Sequence, residues 1–296
     1  MRLGRGSRVH SPMPDHAGLH HPGSLRWPCD RLLVPVDAVF SWSRMLGSQG
    51  RFRQGSASMP DARKTAIITG AAAGIGLATA SRLAGEGWRV VGVDRTDASA
   101  DGIELLVGDA GDASLLTEAV ERCGGKLNAL VCSAGIPPSG PWDSREHWDE
   151  VLAVDLSAPY EALRVCIPAL VAARGSAVLV GSIVGAVEGS MRSPAYAAAK
   201  AGLEGLARSM AVIGAPDGVR VNVVAPGAIA TDFDERLLPA DHRTDVPLGR
   251  MGTAEEVAAI IGFLIGPKAS YVTGAIWTVD GGRVVLSSAD ADRRNR

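Results

Sequence analysis

The chain has 296 residues, 46% hydrophobic and 21% charged, with a formal net charge of −2. It is long enough to bury a sizeable core, and it carries no overall field to hold a polyanion, so nucleic-acid binding by bulk electrostatics is disfavoured. The charge is unevenly divided: residues 1–58 hold eight Arg and three Asp with no Lys or Glu, leaving 22 basic against 29 acidic residues from Met59 onward.

Residues 1–58 mix Gly, Pro, Arg, His and Ser around one short apolar patch, with no sustained period. Such a segment cannot bury enough apolar surface to pack, and we expect a disordered or over-extended start; its low acidity and scattered Arg also fit an organelle transit peptide. Met59-Pro60-Asp61-Ala62-Arg63-Lys64 reads as a start leading straight into a strand, which sets the domain at 59–296. The apolar run 257–266 is about half of what a bilayer span needs, so no membrane segment is expected. Cys29, Cys123, Cys132 and Cys166 form no CxxC pair, and four of the six His lie in residues 1–58. We therefore read no metal site, and a reducing, cytoplasmic setting.

The first β-rich run, 65–69, ends in Thr69-Gly70-Ala71-Ala72-Ala73-Gly74-Ile75-Gly76, which opens a helix over 74–85. Glycines are needed there if the backbone turns sharply and approaches a pyrophosphate seated on the helix N-terminus, although such turns also arise merely to pack helix on sheet. The second strand, 89–94, ends at Asp94, placed to accept hydrogen bonds from an adenosine ribose and to repel a 2′-phosphate. Its neighbour Arg95 is the competing signal, because a guanidinium there can pair with the 2′-phosphate of NADP. Asp first makes NAD the cofactor we read. The eight residues 95–102 that lie between this strand and the next, 104–107, are too few for the usual crossover helix. Asp109 then reaches either toward the adenine amino group or into an N-cap of the helix 113–122.

A strand at 129–132 precedes Ser133-Ala134-Gly135, and a long helix is predicted over 145–173. Strand 177–180 leads to Ser182, and the helix 195–213 opens on Tyr196-Ala197-Ala198-Ala199-Lys200, whose i and i+4 side chains share one face. A phenol of pKa ~10 becomes a usable base beside an ammonium, whereas a lone YxxxK is usually only a solvated helix face. Strand 220–225, helix 254–265 and strand 275–279 complete the series. Strands alternating with helices predict a single doubly wound α/β domain, a Rossmann fold with a seven-stranded parallel sheet covered on both faces.

Taken together, the glycine turn, the Ser182, Tyr196 and Lys200 set, and Arg220-Val221-Asn222 leading to Pro226-Gly227 resemble the short-chain dehydrogenase/reductase family, in its order and over residues 64–282. The resemblance implies a hydride-transferring oxidoreductase that interconverts a secondary alcohol and a ketone. In it Tyr196 is the acid/base, Lys200 lowers its pKa and holds the nicotinamide ribose, and Ser182 orients the carbonyl. It implies that Gly70, Ala73, Gly74, Ile75, Gly76, Asp94, Arg95, Asp109 and Ala110 hold the adenosine and pyrophosphate side. Ser133, Ala134, Gly135, Pro226, Gly227, Ile229 and Thr231 would line the remainder. It also implies a homotetramer or homodimer acting on a small molecule, with the last strand and the helices 145–173 and 195–213 at the subunit contacts.

Four features depart from the family pattern. Cys132-Ser133 stands where two Asn are usual, and we read Cys132 as packing. Asp155 stands where the family carries a catalytic Asn, which puts a carboxylate in the relay position near Lys200. The interval from Ser182 to Tyr196 spans fourteen positions where thirteen is usual, an insertion placed in the loop 187–194. The short connection 95–102 leaves the adenine pocket more open and resembles a bacterial hydroxysteroid dehydrogenase subgroup. Ile136, Pro137, Pro138, Val184, Val187 and Met191 predict an apolar, hydroxysteroid-like or acyl substrate, closed over by a charged loop at 231–248. The rival readings are an NADPH-dependent 3-oxoacyl thioester reductase, opposed by the neutral Ala71, Ala72 and Ala73, and a non-catalytic nucleotide-sensing homologue, opposed by retention of Ser182, Tyr196 and Lys200.

Overall fold

Strand β1, Thr65–Thr69, is buried at every position, so its side chains must be apolar or hydrogen-bonded on both faces of a sheet. Ile67 packs into one core with Leu116, Leu163, Ile167 and Leu203, and its neighbour Ile68 packs into a second with Leu83, Val257 and Ile261. This alternation is the two-residue period of a strand with a helical layer on each side. The computed structural model describes residues 63–98, 100–190, 193–231, 233 and 246–285; the reading of 1–58 as an extension lies outside them.

Six further strands follow: β2 Arg89–Asp94, β3 Ile103–Val107, β4 Ala129–Cys132, β5 Ser176–Val180, β6 Arg220–Pro226 and β7 Ile276–Val279. They form one parallel sheet in the order β3-β2-β1-β4-β5-β6-β7. Helices α1 Gly74–Gly85 and α6 Ala254–Ile265 cover one face. Helices α2 Ala113–Arg122, α4 Ala158–Ala173 and α5 Pro194–Gly214 cover the other. Strand order reverses at β1, whose neighbours are β2 and β4, and a crevice opens beyond the carboxyl ends of strands at such a point. Between β2 and β3 no helix intervenes among the described residues.

The helix predicted over 145–173 is present, with a wider turn inside it: it runs as α3 Arg145–Leu152, a π-helical turn Ala153–Ser157, and α4. The wider turn rotates one extra residue into the interior, and that residue is Asp155, fully buried. The segment Arg145–Ala173 does reach the length and hydropathy of a bilayer span. Its buried stripe of Ala162, Leu163, Cys166, Ile167 and Leu170 packs into the core shared with the sheet, which accounts for that apolarity.

The Arg220-Val221-Asn222 motif serves the sheet. Arg220 Nη1 and Nη2 donate to the carbonyls of Val272 and Gly266 at 3.1 and 3.2 Å. Asn222 Nδ2 donates to Val272 O at 3.0 Å, and its Oδ1 accepts from Ala275 N at 3.1 Å. These bonds seat the segment that leads into edge strand β7.

Candidate active site

Four of the helices begin on a side chain that satisfies their first amides. Asp112 Oδ1 accepts from Ser114 N at 2.8 Å on α2, Ser144 Oγ from His147 N at 3.1 Å on α3, and Ser193 Oγ from Tyr196 N at 3.2 Å on α5. Thr253 and Glu256 form a capping box on α6. Helix α1 differs: its N-cap is Ala73, which offers no side-chain acceptor. The first-turn amides of α1 therefore face the crevice with the helix dipole behind them, an arrangement suited to a diphosphate.

The glycine turn has the shape this requires. Gly70 sits at φ 71°, and a Cβ there would fall 2.6 Å from Ala134 N; a Cβ on Gly76 would fall 1.9 Å from Gly70 O. Gly76 thus lets helix and turn close on each other behind the crevice, and it is not itself in the lining. The crevice is a cleft of about 1170 Å³. Apart from Gly76 and Asp155, every residue expected from sequence to hold the cofactor or to do the chemistry lines it, from Asp94, Arg95, Asp109 and Ala110 at one end to Ser182, Tyr196 and Lys200 at the other; of the apolar residues expected at the substrate, Ile136 lines it, whereas Pro137, Pro138, Val184 and Val187 do not. Gly74 meets the Thr231 methyl, 3.5 Å from where a Cβ would stand, so residues far apart in the chain close one wall. An uncapped helix N-terminus, a turn only glycine can make, and a carboxylate at the end of β2 together fit a nicotinamide dinucleotide.

Asp94 is held across that turn: Oδ2 accepts from Ala72 N at 3.0 Å and Oδ1 from Thr96 N at 2.9 Å. Each oxygen keeps a lone pair for a ribose hydroxyl. Asp109 accepts from Gly111 N at 2.7 Å through Oδ1, while its Oδ2 takes the Arg95 guanidinium. The Arg95 hydrogen bond, with the Gly111 amide, holds the Asp109 carboxyl below the usual carboxylate range, and Arg95 is raised in return. The reading of Asp109 as the cap of α2 is corrected, since Asp112 fills that place.

At the other end, Asp155 Oδ2 accepts from Ile136 N at 3.1 Å, and its Oδ1 lies 2.9 Å from Lys200 Nζ. That contact is an ion pair short of hydrogen-bond alignment. Lys200 Nζ also donates to Val180 O at 3.3 Å and lies 5.3 Å from the Tyr196 ring centroid. Burial pulls the ammonium down, but the charges of Asp155 and Tyr196 outweigh it and leave its pKa raised. Gly135 is required beside this pair, because a Cβ would stand 2.7 Å from Asp155 Oδ1. Ser182 Oγ accepts from Val184 N at 3.1 Å, which orients the hydroxyl at the head of the loop after β5.

Sequence reasoning missed Phe233, which lines the cleft with its ring 6.4 Å from that of Tyr196. A lone aromatic in the charged stretch 232–236 was the available signal. It also missed Arg82 and Glu255, where the cleft continues between α1 and α6. Met191 and most of the loop 231–248 lie outside the described residues. Cys132 is buried in β4, with its thiol pushed up to about 12 by desolvation, so it packs and does not react. Among the described residues no group of His, Cys, Asp and Glu could hold a metal ion.

Residues 70–283 match the family model described as Enoyl-(Acyl carrier protein) reductase. The chain is 36% identical over 270 residues to the human Dehydrogenase/reductase SDR family member 2, mitochondrial, covering 83% of this chain and 91% of that protein. It is 35% identical over 241 residues to the Escherichia coli 3-oxoacyl-[acyl-carrier-protein] reductase FabG, covering 75% of this chain and 98% of that protein. Among solved structures, the ligand-free aldohexose dehydrogenase AldT of Thermoplasma acidophilum superposes with a TM-score of 0.71 at 28% identity, covering 78% of this chain and 98% of that one.

Proposed function

Because the chain belongs to the short-chain dehydrogenase/reductase family and is an oxidoreductase acting on CH–OH or C=O groups with a nicotinamide dinucleotide, we propose that it interconverts a secondary alcohol and a ketone with NAD(H) on an apolar, hydroxysteroid-like substrate. The observation that carries this reading is that Ser182, Tyr196 and Lys200 line the same cleft as the uncapped glycine turn. When bound, the nicotinamide supplies the hydride acceptor or donor. The first-turn amides of α1 bind its diphosphate, and Asp94 takes the adenosine ribose hydroxyls.

The protein's part at the reacting centre is proton transfer and orientation. Tyr196 Oη takes the alcohol proton or returns one to the ketone oxygen, a step worth ~10²–10⁴-fold when positioned. Lys200 favours the phenolate through its charge. It is kept in place by Val180 O and Asp155, and it has a further donor for the nicotinamide ribose. Ser182 donates to the substrate oxygen, stabilising negative charge as it develops there. Ile136, which lines the cleft and packs against the cluster that holds Tyr196, supports an apolar substrate.

A homotetramer or homodimer is supported by Tyr160 on α4 and Val212 on α5, large apolar residues left exposed on one copy. Similarity to FabG supports the rival reading, a 3-oxoacyl thioester reductase. Turnover measured across secondary alcohols, hydroxysteroids and a 3-oxoacyl thioester with both dinucleotides separates the two. Hydroxysteroid oxidation with NAD⁺ is expected; thioester reduction with NADPH alone would reject the proposal.

A further inference from the structure

Arg95 follows Asp94 at the end of β2 and lines the cleft beside that carboxylate, where a 2′-phosphate would stand. It is not available there. Its guanidinium is taken by Asp109 from the loop after the adjacent strand β3, and the Glu150 carboxylate on α3 adds a smaller pull. Asp109 is itself fixed, because its other oxygen accepts from Gly111 N at 2.7 Å. Asp94 is likewise fixed, by the amides of Ala72 and Thr96. The corner therefore presents one guanidinium already paired with a fixed carboxylate.

We infer that Asp109 is a specificity-determining residue, which selects NAD over NADP by capturing Arg95 and withholding it from the 2′-phosphate. The inference rests on the NAD reading above and adds a second device to the repulsion by Asp94. Capture works in this direction because an anchored carboxylate loses little freedom on pairing, whereas a phosphate must first displace it. Both side chains are half exposed, so the withheld affinity is modest.

The test is a double-mutant cycle read by equilibrium binding of NADPH and NADH to the purified full chain, followed by nicotinamide fluorescence. Asp109→Asn keeps an acceptor for Gly111 N and removes the charge that holds Arg95. It is expected to tighten NADPH relative to NADH about two- to fivefold, the range of an exposed ion pair; the ratio of the two dissociation constants is read because any contact of Asp109 with the shared adenosine affects both dinucleotides alike. In the Arg95→Gln background the same substitution is expected to leave that ratio unchanged. An equal change of the ratio in both backgrounds would overturn the inference, since Asp109 would then act by direct repulsion of the phosphate. So would an Asp109→Asn variant whose ratio is that of the parent. A parent chain that binds NADPH more tightly than NADH would reject the NAD reading on its own, while the coupling between positions 95 and 109 is still read from the same cycle.

Discussion

Asp155 Oδ1 lies 2.9 Å from Lys200 Nζ, and both side chains are buried, so the ammonium proposed to tune Tyr196 carries its own counter-charge. The carboxylate raises the lysine and offsets the field it exerts on the phenol. Asp155→Asn keeps an acceptor for Ile136 N and removes that offset. With the ammonium uncompensated, phenolate is favoured and the pKa of Tyr196 falls. The rise of kcat/KM with pH for alcohol oxidation is expected to move to lower pH, with activity held or increased. A pH–rate profile of parent and variant on one accepted alcohol checks it; no shift, or an upward one, would show that the pair does not act on Tyr196.

Gly135 stands against the same pair. Gly135→Ala would put a Cβ 2.7 Å from Asp155 Oδ1 and 3.5 Å from Lys200 Nζ. We expect a loss of about 1–3 kcal/mol in stability from overpacking, with a fall in kcat. Urea unfolding and steady-state rates measured side by side report both, and an unaltered midpoint would contradict the contact.

Tyr196→Phe deletes only the oxygen that moves the proton. Turnover is expected to fall ~10²–10⁴-fold, with the dissociation constant for NADH unchanged. Lys200→Ala is expected to weaken both, because one ammonium serves phenol and ribose. A Tyr196→Phe variant that also loses NADH affinity would place the phenol in cofactor binding.

Ser193 is fully buried and its hydroxyl accepts from Tyr196 N, capping the helix that carries the phenol. Ser193→Ala is expected to cost about 0.5–2 kcal/mol and to lower kcat more than it changes NADH affinity. Thermal unfolding with a binding titration checks this, and loss of affinity without loss of stability would go against it.

Asp94→Ala removes the charge that opposes a 2′-phosphate and two acceptors, one for Ala72 N in the glycine turn and one for Thr96 N after β2. The preference for NAD in kcat/KM is expected to erode, with looser binding of both dinucleotides. If the preference survives, Asp94 is not its source.

The order of elements was legible in the sequence, because strands buried on both faces read as short apolar runs and helices as longer Ala- and Leu-rich ones; bounds agree to within a residue or so, from Thr65–Thr69 to Ile276–Val279. The glycine turn and the Tyr196 to Lys200 spacing were legible for the same reason: turn conformation and helical period are local properties. What only the tertiary structure decided are meetings between segments. The resemblance alone implies a carboxylate of Asp155 near Lys200; the π turn that seats it there is announced by no local pattern. The order of strands β2 and β3 brings Asp109 to Arg95, leaving the cap of α2 to Asp112. Phe233 reaches Tyr196 from a loop whose composition predicts only solvent. Period and propensity specify backbone; which side chains then share a site follows from how sheet order and helix rotation bring the segments together.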